Sequence, residues 1–286
     1  MSTSCAVFGL SKQAYYKQLN NKRQKETAWH FVKPGILALR RSMPRLGTRK
    51  LHYLLRERDI KVGRDKLFEL LRKESMLVAT RRKYVKTTNS THWMRKYPNL
   101  VRDIEINRPE QLWVADITYL DTKAEGNLYL HLVTDAYSKQ IMGYELCDNM
   151  TAVSTQKALT MALSKRQYKN MPLIHHSDRG LQYCSSLYTE CLIANHIAIS
   201  MTENGDPYEN AVAERVNGIL KDEFGLGDQL NDIKEAIKQV EQSIATYNRL
   251  RPHLSCSMLT PIQMHNQQTI KIKTYKQKDQ TSLVDV

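Results

Sequence analysis

The sequence lacks any apolar run of the length that a membrane-spanning helix needs, about 18 residues. Residues 1–10 also lack the basic start and the long apolar core of a signal peptide. These absences predict that the chain neither spans a membrane nor is exported. We therefore expect a cytoplasmic protein.

Cysteine is scarce and irregularly spaced. The 286 residues include five cysteines, and no C-x-x-C pair occurs among them. An odd number of dispersed cysteines is typical of reduced thiols and argues against a disulfide framework or a zinc ribbon. Only one cysteine precedes residue 147, so the first half of the chain lacks the cysteine pair that a His-His-Cys-Cys zinc module needs.

Acidic residues are scarce in the first part of the chain. Residues 1–100 contain 24 Lys and Arg against 6 Asp and Glu, which gives them a net charge of +18. Because the whole chain carries +14, the remaining residues carry −4. A polyanionic partner, either nucleic acid or an anionic membrane surface, fits the basic part. This contrast in net charge predicts that the first part binds the partner electrostatically and that the second part carries the catalytic site.

The basic part, residues 1–86, is predicted to be helical. A short helix over 11–17 is followed by a helix over 26–43, which Pro34 and Gly35 are expected to interrupt. Leu46-Gly47-Thr48 is then typical of a turn and a helix N-cap.

Two short amphipathic helices follow, over 49–57 and 64–74, with a turn at Val62-Gly63. This order indicates an all-α helix-turn-helix DNA-binding domain at about residues 26–75, although an ordinary helical hairpin has the same pattern. The basic tract that follows favours DNA. The expected DNA-binding residues of this region are Arg64, Lys66, Arg81, Arg82 and Lys83.

A polar linker is predicted over 87–109, a catalytic core over 110–266 and a flexible tail over 267–286. In the core, apolar runs alternate with turn residues and helical periodicity. The expected strands span 112–120, 128–134, 140–146, 173–176 and 197–201, and the expected helices span 149–164, 186–195, 208–224 and 231–248. Three meandering strands followed by alternating helices and strands predict an α/β fold with a mixed sheet covered by helices.

Two aspartates stand out against this pattern. Asp116 interrupts an otherwise apolar strand, where a buried carboxylate is costly unless it is paired or binds a metal. Asp178 directly follows the fourth strand, at the end of a strand where α/β proteins place their sites. A helix cap or a turn is the alternative role for Asp178.

Glu214 lies on the helix predicted over 208–224. Its face continues with Asn217, Gly218 and Lys221 at helical spacing, and the apolar residues of the helix form a separate stripe. A carboxylate, an amide and a cation on one face suit a metal beside a phosphate. A solvated face with an ion pair is the alternative.

Together these motifs resemble the DDE transposases and retroviral-type integrases, and more fully the IS3 family of insertion-sequence transposases. Asp178 and Glu214 are separated by 35 residues, which is the interval of the DD(35)E pattern. The similar segments are W-V-A-D-I-T-Y from Trp113, H-S-D-R-G-L-Q-Y from His176, N-A-V-A-E from Asn210 with Lys221, Y-N-R-L-R-P-H from Tyr247, and Thr260-Pro261. The resemblance covers about residues 30 to 265.

The resemblance implies a ribonuclease-H-like core and a bacterial DNA transposase that binds terminal inverted repeats and performs DNA cleavage and strand transfer into target DNA. It implies two Mg²⁺ or Mn²⁺ ions held by Asp116, Asp178 and Glu214, with Asp116 bridging them. Lys221 would contact a phosphate near the transposon end, and Asn210 would orient the terminal bases. A homo-oligomer on DNA is expected, and the family also implies fusion to an upstream-frame (OrfA) segment. The resemblance further implies a bacterial protein that is associated with the nucleoid and has no membrane partner.

The chain departs from the commonest family pattern at a few positions. Leu181 and Cys184 replace small polar residues, and Arg215-Val216-Asn217 replaces a frequent Ser-Phe-Phe. We expect none of these changes to touch the three acids.

Other residues and functions remain open from the sequence. Asp135 ends a strand and is a less favoured metal ligand than the three acids. Adjacent residues of a strand point to opposite faces, so at most one of His175 and His176 faces the site. Tyr183 lacks the Arg/His constellation of a tyrosine recombinase. A DNA-binding repressor of transposition without catalysis is the alternative function, and a retroviral-type integrase is the rival within the enzymes.

Overall fold

A computed structural model describes residues 11–79, 94–102, 104–203 and 210–272. The chain divides between Thr80 and Arg81 into two compact units. In the described residues the N-terminal unit is all helical and the C-terminal unit is α/β. The linker over 87–109 stays a prediction, because residues 80–93 lie outside the described part of the chain.

The N-terminal unit contains three helices, α1 (Lys12–Ser42), α2 (Thr48–Glu57) and α3 (Arg64–Lys73). They form because apolar residues recur at helical spacing and bury one face of each helix. The buried apolar residues are Val32, Ile36, Leu39, Met43, Leu46, Leu51, Leu55, Leu67 and Leu71. The two short amphipathic helices of the sequence prediction are confirmed.

The expected interruption at Pro34 and Gly35 is wrong, and so is the separate helix over 11–17. One 31-residue helix runs through both positions. Pro34 is exposed, so the backbone carbonyl that loses its hydrogen bond can be hydrated. Gly35 fits a close approach, since a Cβ there would lie 2.5 Å from Cδ1 of Ile60 and would displace that side chain.

The N-cap before α2 is Gly47 and not Thr48, which is the buried first residue of the helix. Between α2 and α3 the backbone N–H of Ile60 donates to the carbonyl of Leu55 at 2.9 Å. The ring of His52 also bonds the carbonyl of Val62, at 2.9 Å. These contacts fix a short connection between the two helices.

The C-terminal unit is built on a five-stranded mixed sheet with the order β3-β2-β1-β4-β5. Its strands are β1 (Leu112–Thr122), β2 (Gly126–Asp135), β3 (Ile141–Cys147), β4 (Ile174–Ser177) and β5 (Ala198–Met201). The first three strands are antiparallel neighbours, and β4 and β5 are parallel to β1. The expected mixed sheet is confirmed, with strand ends that differ by at most two residues, and β1 is central.

Helices cover the two faces of this sheet. On one face α4 (Ala152–Ser164), α5 (Leu181–Cys184) and α6 (Ser186–Ala194) pack against odd-numbered β1 residues such as Trp113 and Ala115. The close approach of α4 requires a glycine in β3, because a Cβ at Gly143 would overlap the carbonyl of Ala158. The sequence prediction missed α5, which is a single turn.

On the opposite face α7 (Ala211–Glu223) packs against the even-numbered β1 residues Leu112 and Val114. The chain continues with α8 (Ile233–Leu250), a 3₁₀ turn at Leu254–Cys256 and α9 (Pro261–His265). Across the described ranges, none of the helices has the length and apolarity needed to cross a membrane.

Candidate active site

Asp116 lies in the middle of the central strand, on the sheet face that carries α7. Side chains alternate along a strand, so Asp116 shares its face with Leu112 and Val114. Its Oδ1 accepts a hydrogen bond from the backbone N–H of Ile117 at 2.9 Å. The carboxylate is half-buried, which fits its predicted position as an acid inside an apolar strand.

Asp178 lies beside Asp116 because of the parallel pairing of β1 with β4. The register pairs Val114 with His176. The same offset, continued for two residues, brings Asp116 level with Asp178, just past the end of β4. Oδ1 of Asp178 accepts from the backbone N–H of Gly180 at 3.0 Å, so this residue also shapes the turn that follows the strand.

Glu214 lies in the first turn of α7 and its side chain is exposed. The helix is held on the sheet by its apolar stripe, in which Val216, Ile219 and Leu220 are buried. The remaining face of the helix begins with Glu214 and continues with Asn217, which contacts Asp116 in the middle of β1. Three elements that are distant in sequence thus bring the three predicted acids to one region.

The electrostatics of Asp116 show this convergence. Burial raises the pKa of Asp116, the charge of Asp178 raises it further and that of Glu214 adds to the rise, while hydrogen bonds from Ile117 and Asn217 oppose it. The resulting pKa is about 7. Among the described residues no three His, Cys, Asp or Glu side chains stand close enough to hold a metal ion as they are. The acids therefore share one electrostatic environment without forming a closed ligand shell.

The expectation that Asn217 does not touch the acids is wrong. Asn217 is 6% exposed, and its Nδ2 donates to Oδ2 of Asp116 at 2.7 Å. The contact exists because Asn217 follows Glu214 by three residues and so lies on the side of α7 that faces β1. The solvated-face alternative for this helix face is also contradicted, since the middle of the face is buried.

Lys221 and Asn210 lie at opposite ends of α7. Lys221 is half-buried, and burial lowers its pKa while the charges of Asp116 and Asp222 raise it. The lysine therefore faces the same carboxylate as Asn217 does. Asn210 is 7% exposed and donates from Nδ2 to the carbonyl of Ala115 at 3.1 Å. It links the start of α7 to the residue before Asp116, and this buried setting leaves a base contact as an untested prediction.

The basic residues predicted to bind DNA lie partly inside the described chain. Arg64 and Lys66 open α3, and Arg64 is exposed beside Asp65, whose Oδ1 it contacts at 2.9 Å. Arg81, Arg82 and Lys83 lie outside the described residues. The helices that would form a helix-turn-helix are therefore present, and their DNA contacts remain a prediction.

Asp135 belongs to a different cluster. It is fully buried and pairs with Trp113 across the β1–β2 ladder, near the start of β1 and three residues before Asp116. The backbone N–H of Glu110, the backbone N–H of Ser138 and the hydroxyl of Ser138 each donate to it at 2.7 Å. His265 lies 3.8 Å away. These partners account for the burial of Asp135 without a metal.

The two histidines before Asp178 point to opposite faces, as the strand geometry requires. His175 packs between Tyr183 and Tyr188, and the Tyr188 hydroxyl lies 2.9 Å from its Nε2. His176 bonds Oγ of Ser200 at 2.8 Å on the other face. Tyr183 is buried, and the charges of Asp116 and Asp178 add to burial in raising its pKa. A phenol held neutral in this way is unsuited to act as a nucleophile.

Comparison with known proteins identifies the C-terminal unit. Two family models described as integrase core domain match residues 106–207 and 195–261. Together with the mixed sheet and its flanking helices, this match assigns the unit to the ribonuclease-H-like fold. The catalytic core of the HTLV-2 integrase, solved with magnesium, is similar at 23% identity and a TM-score of 0.44, over 56% of this chain and 98% of that one. A chain of the simian T-cell lymphotropic virus intasome, solved in complex with PP2A regulatory subunit B56 gamma, is similar at 18% identity and a TM-score of 0.49, over 81% of this chain and 75% of that one.

Similar proteins extend over almost the whole chain. The uncharacterized 31 kDa protein of insertion element IS600 from Shigella sonnei is 36% identical over 90% of this chain and 95% of its own length. The transposase InsF of IS3A from Escherichia coli K12 is 31% identical over 92% of each chain. A putative transposase of IS986/IS6110 from Mycobacterium tuberculosis is 31% identical over 76% of this chain and 80% of its own length. This chain therefore belongs to the IS3 family of insertion-sequence transposases, whose core is of the integrase type.

Proposed function

We propose that this transposase cleaves and joins DNA by metal-dependent phosphoryl transfer, with Asp116, Asp178 and Glu214 as the metal-binding carboxylates. The observation that supports this most is the electrostatic coupling of Asp116, in the middle of the central strand, to Asp178 and Glu214. Like charges brought together in a partly buried site are unfavourable unless a cation compensates them. A structural role alone does not account for their convergence.

The donor set fits two Mg²⁺ or Mn²⁺ ions. All three side chains offer carboxylate oxygens, which these hard cations prefer, and the surrounding side chains include a further amide. When bound, such ions lower the barrier by activating a water or a 3′-hydroxyl and by stabilising the charge of the leaving oxygen. The chain's own task is to hold the acids in place and to bind the DNA.

Residues around the acids support the DNA. Lys221, on the same face of α7 as Asn217, would neutralise a phosphate that enters the site. Asn210 would hold the start of α7 and orient the terminal bases through its remaining acceptor. Arg64, Lys66, Arg81, Arg82 and Lys83 would bind the backbone of the terminal inverted repeats, so binding should weaken with salt.

Transposition joins two ends of one element to target DNA, so we also propose that a homo-oligomer forms on the DNA. Fusion to a segment encoded upstream (OrfA) would supply additional contacts to the ends. The full chain and the fusion are therefore both suitable for the assays below. We therefore favour an integrase-type enzyme. The alternative function is a repressor that binds DNA without cleaving it, and the assays below distinguish the two.

The test is cleavage of a labelled duplex that carries the terminal inverted repeats flanking this reading frame, in Mg²⁺ or Mn²⁺. Asp116→Asn, Asp178→Asn and Glu214→Gln should each bind the duplex normally and fail to cleave it. Asp121→Asn is the matched control, because Asp121 is an exposed acid of the same strand that bonds only Gln229 in the contacts seen. Cleavage retained by Asp116→Asn would exclude the proposed site, and binding without any cleavage by the unmodified protein would favour a repressor.

A further inference from the structure

We propose that Asn217 is a positioning residue that fixes the Asp116 carboxylate for metal binding. The inference rests on the proposed function, because it concerns the same carboxylate. It concerns a position at which this chain has Asn217 and the commonest family pattern has a phenylalanine.

The first support is the geometry of the contact. Nδ2 of Asn217 donates to Oδ2 of Asp116 at 2.7 Å, and the backbone N–H of Ile117 donates to Oδ1 at 2.9 Å. Each oxygen of the carboxylate thus has one neutral donor. Two fixed donors hold the carboxylate in one orientation and leave lone pairs on both oxygens for a cation.

The second support is the way in which α7 is fastened to β1. Asn210 donates to the carbonyl of Ala115, and Asn217 donates to the side chain of the next residue, Asp116. The two asparagines are seven residues apart, which is two helical turns, so they lie on one side of α7. The helix that carries Glu214 is therefore tied to the strand that carries Asp116 on both sides of Glu214.

The third support is an acceptor that lacks a partner. Oδ1 of Asn217 is buried and has no hydrogen-bond donor among the described residues. A buried polar atom without a partner is costly, and such atoms in native proteins usually indicate a water or an ion that fills the gap. A water held beside the carboxylate would satisfy Oδ1, and Mg²⁺ sites usually retain several waters.

The amide suits this position better than a charged donor would. The charged groups that face Asp116 are Asp178 from the end of β4, and Glu214 and Lys221 from α7. A second cation in place of Asn217 would neutralise Asp116 and compete with a metal. A neutral amide orients the carboxylate and preserves its negative charge.

The experiment measures metal binding by the full-length protein, apart from activity. Mn²⁺ is titrated into the purified chain, and binding is followed by isothermal calorimetry and by the rise in melting temperature. Loss of a residue that orients a metal ligand typically weakens metal affinity by 10–100-fold, so Asn217→Ala should raise the half-saturating Mn²⁺ concentration about tenfold. The fold itself should survive, because α7 keeps its apolar stripe.

Asn248→Ala is the matched control. Asn248 is a half-buried asparagine of α8 that exchanges two hydrogen bonds with the backbone of Ile141, each at 3.0 Å. Its loss should lower the melting temperature without metal and leave the half-saturating Mn²⁺ concentration unchanged. A purely structural role for Asn217 predicts this same behaviour for Asn217→Ala, and that result would overturn the inference.

Asn217→Asp provides a second variant with the same shape. It removes the donor and places a carboxylate against Asp116, so the metal-free protein should melt below Asn217→Ala and gain more from Mn²⁺. A response of Asn217→Asp equal to that of Asn248→Ala would contradict the inference even if Asn217→Ala did not fold. Asp116→Asn separates the test of the metal site from the test of Asn217. An unchanged Mn²⁺ response of Asp116→Asn would reject the proposed metal site itself. A lost response of Asp116→Asn, together with an unchanged half-saturating Mn²⁺ concentration for Asn217→Ala, would reject only the role of Asn217.

Discussion

Two acids of the same sheet, the fully buried Asp135 and the half-buried Asp116, have opposite surroundings. Asp135, at one end of the β1–β2 ladder, receives three hydrogen bonds and lies 3.8 Å from the imidazole of His265. Asp116, in the middle of β1, receives two hydrogen bonds and has Asp178 and Glu214 as its acidic neighbours. The protein surrounds one acid with donors and a base, and the other partly with further acids.

The difference separates a structural acid from a functional one. A buried carboxylate with enough donors needs nothing from outside the protein, and its loss harms the fold. A carboxylate beside like charges is destabilised until a cation arrives, which is typical of sites that bind metals or perform proton chemistry. The same substitution at the two positions should therefore have opposite consequences.

The largest effect is expected for Asp116→Asn on DNA cleavage. Metal ions contribute several kcal/mol of charge stabilisation to such reactions, so the rate should fall by about a thousandfold or more. The metal-free variant should at the same time be more stable than the unmodified protein near pH 8, because the repulsion with Asp178 is removed. Single-turnover cleavage and urea unfolding of the same preparations measure the two quantities.

The pKa of Asp116 determines how the stability difference between Asp116→Asn and the unmodified protein changes with pH. Asp116 has a pKa that is raised from 3.8 to about 7, so its folded state prefers the protonated form. The stability that this acid contributes is fully present below pH 3.8 and is lost as pH rises towards 7. The stabilisation by Asp116→Asn should thus appear between these values. Equal stability of the two proteins at pH 8 would contradict the acid cluster.

The second largest effect is expected for Asp135→Asn on stability. The substitution removes the negative charge beside His265 and places the amide donor of the new asparagine against one of two backbone N–H groups, that of Glu110 or that of Ser138. Breaking one partner out of a buried charged network costs about 3–5 kcal/mol. Urea unfolding at pH 7 measures the loss, and the metal dependence of cleavage by the remaining folded protein should be unchanged. A loss below about 1 kcal/mol would place Asp135 among the dispensable acids.

The third effect is a loss of stability at high pH that arises from His265. Burial lowers the pKa of His265, but hydrogen bonds and charge attraction from Asp135 and Glu110 raise it to about 9. The imidazole is fully buried and lies 3.3 Å from Oε1 of Glu110. Its stabilisation is complete below pH 6.5 and is lost as pH rises through 9, which amounts to about 3 kcal/mol for this shift.

Comparison with His265→Gln isolates the contribution of the protonated imidazole to the unfolding free energy. The difference in unfolding free energy between the two proteins should be large at pH 6 and should shrink by pH 9.5, since a glutamine does not titrate. A constant difference over this range would show that His265 is neutral in the folded protein.

The strand pattern explains how much of the site the sequence could predict. Asp116 was identifiable because it breaks an apolar run, and Asp178 because it follows a strand. The helix face of Glu214 was visible in the spacing. These are local signals, and local patterns determine the strands and most helices of this fold.

The contacts that define the two acids are not local. Asn217 lies 101 residues after Asp116, and His265 lies 155 residues after Glu110, so no pattern in the sequence brings them together. The continuity of α1 through Pro34 was missed for the same reason. At this point of α1, Gly35 lies close to Ile60, which follows α2 and is 25 residues further along the chain. Pairing across the sheet and between helices decides these features.

The smallest effect is expected for Ser138→Ala, which tests the donors around Asp135 one at a time. The Ser138 hydroxyl donates to Oδ1 of Asp135 at 2.7 Å and lies 3.0 Å from Nδ1 of His265, so it connects the acid to the base. The variant retains the backbone N–H of Ser138 as a donor to the same oxygen.

A hydrogen bond to a charged group contributes about 1.5 kcal/mol, and the unfolding free energy of Ser138→Ala should be lower by this amount. Urea unfolding measures this loss of free energy. Ser164→Ala is the control, because the recorded hydrogen bond of the Ser164 hydroxyl is to the exposed carbonyl of Met161 in its own helix. A loss at Ser138 no larger than at Ser164 would mean that the backbone donors alone satisfy Asp135, and the contrast with Asp116 would then rest on the neighbouring charges rather than on the number of donors.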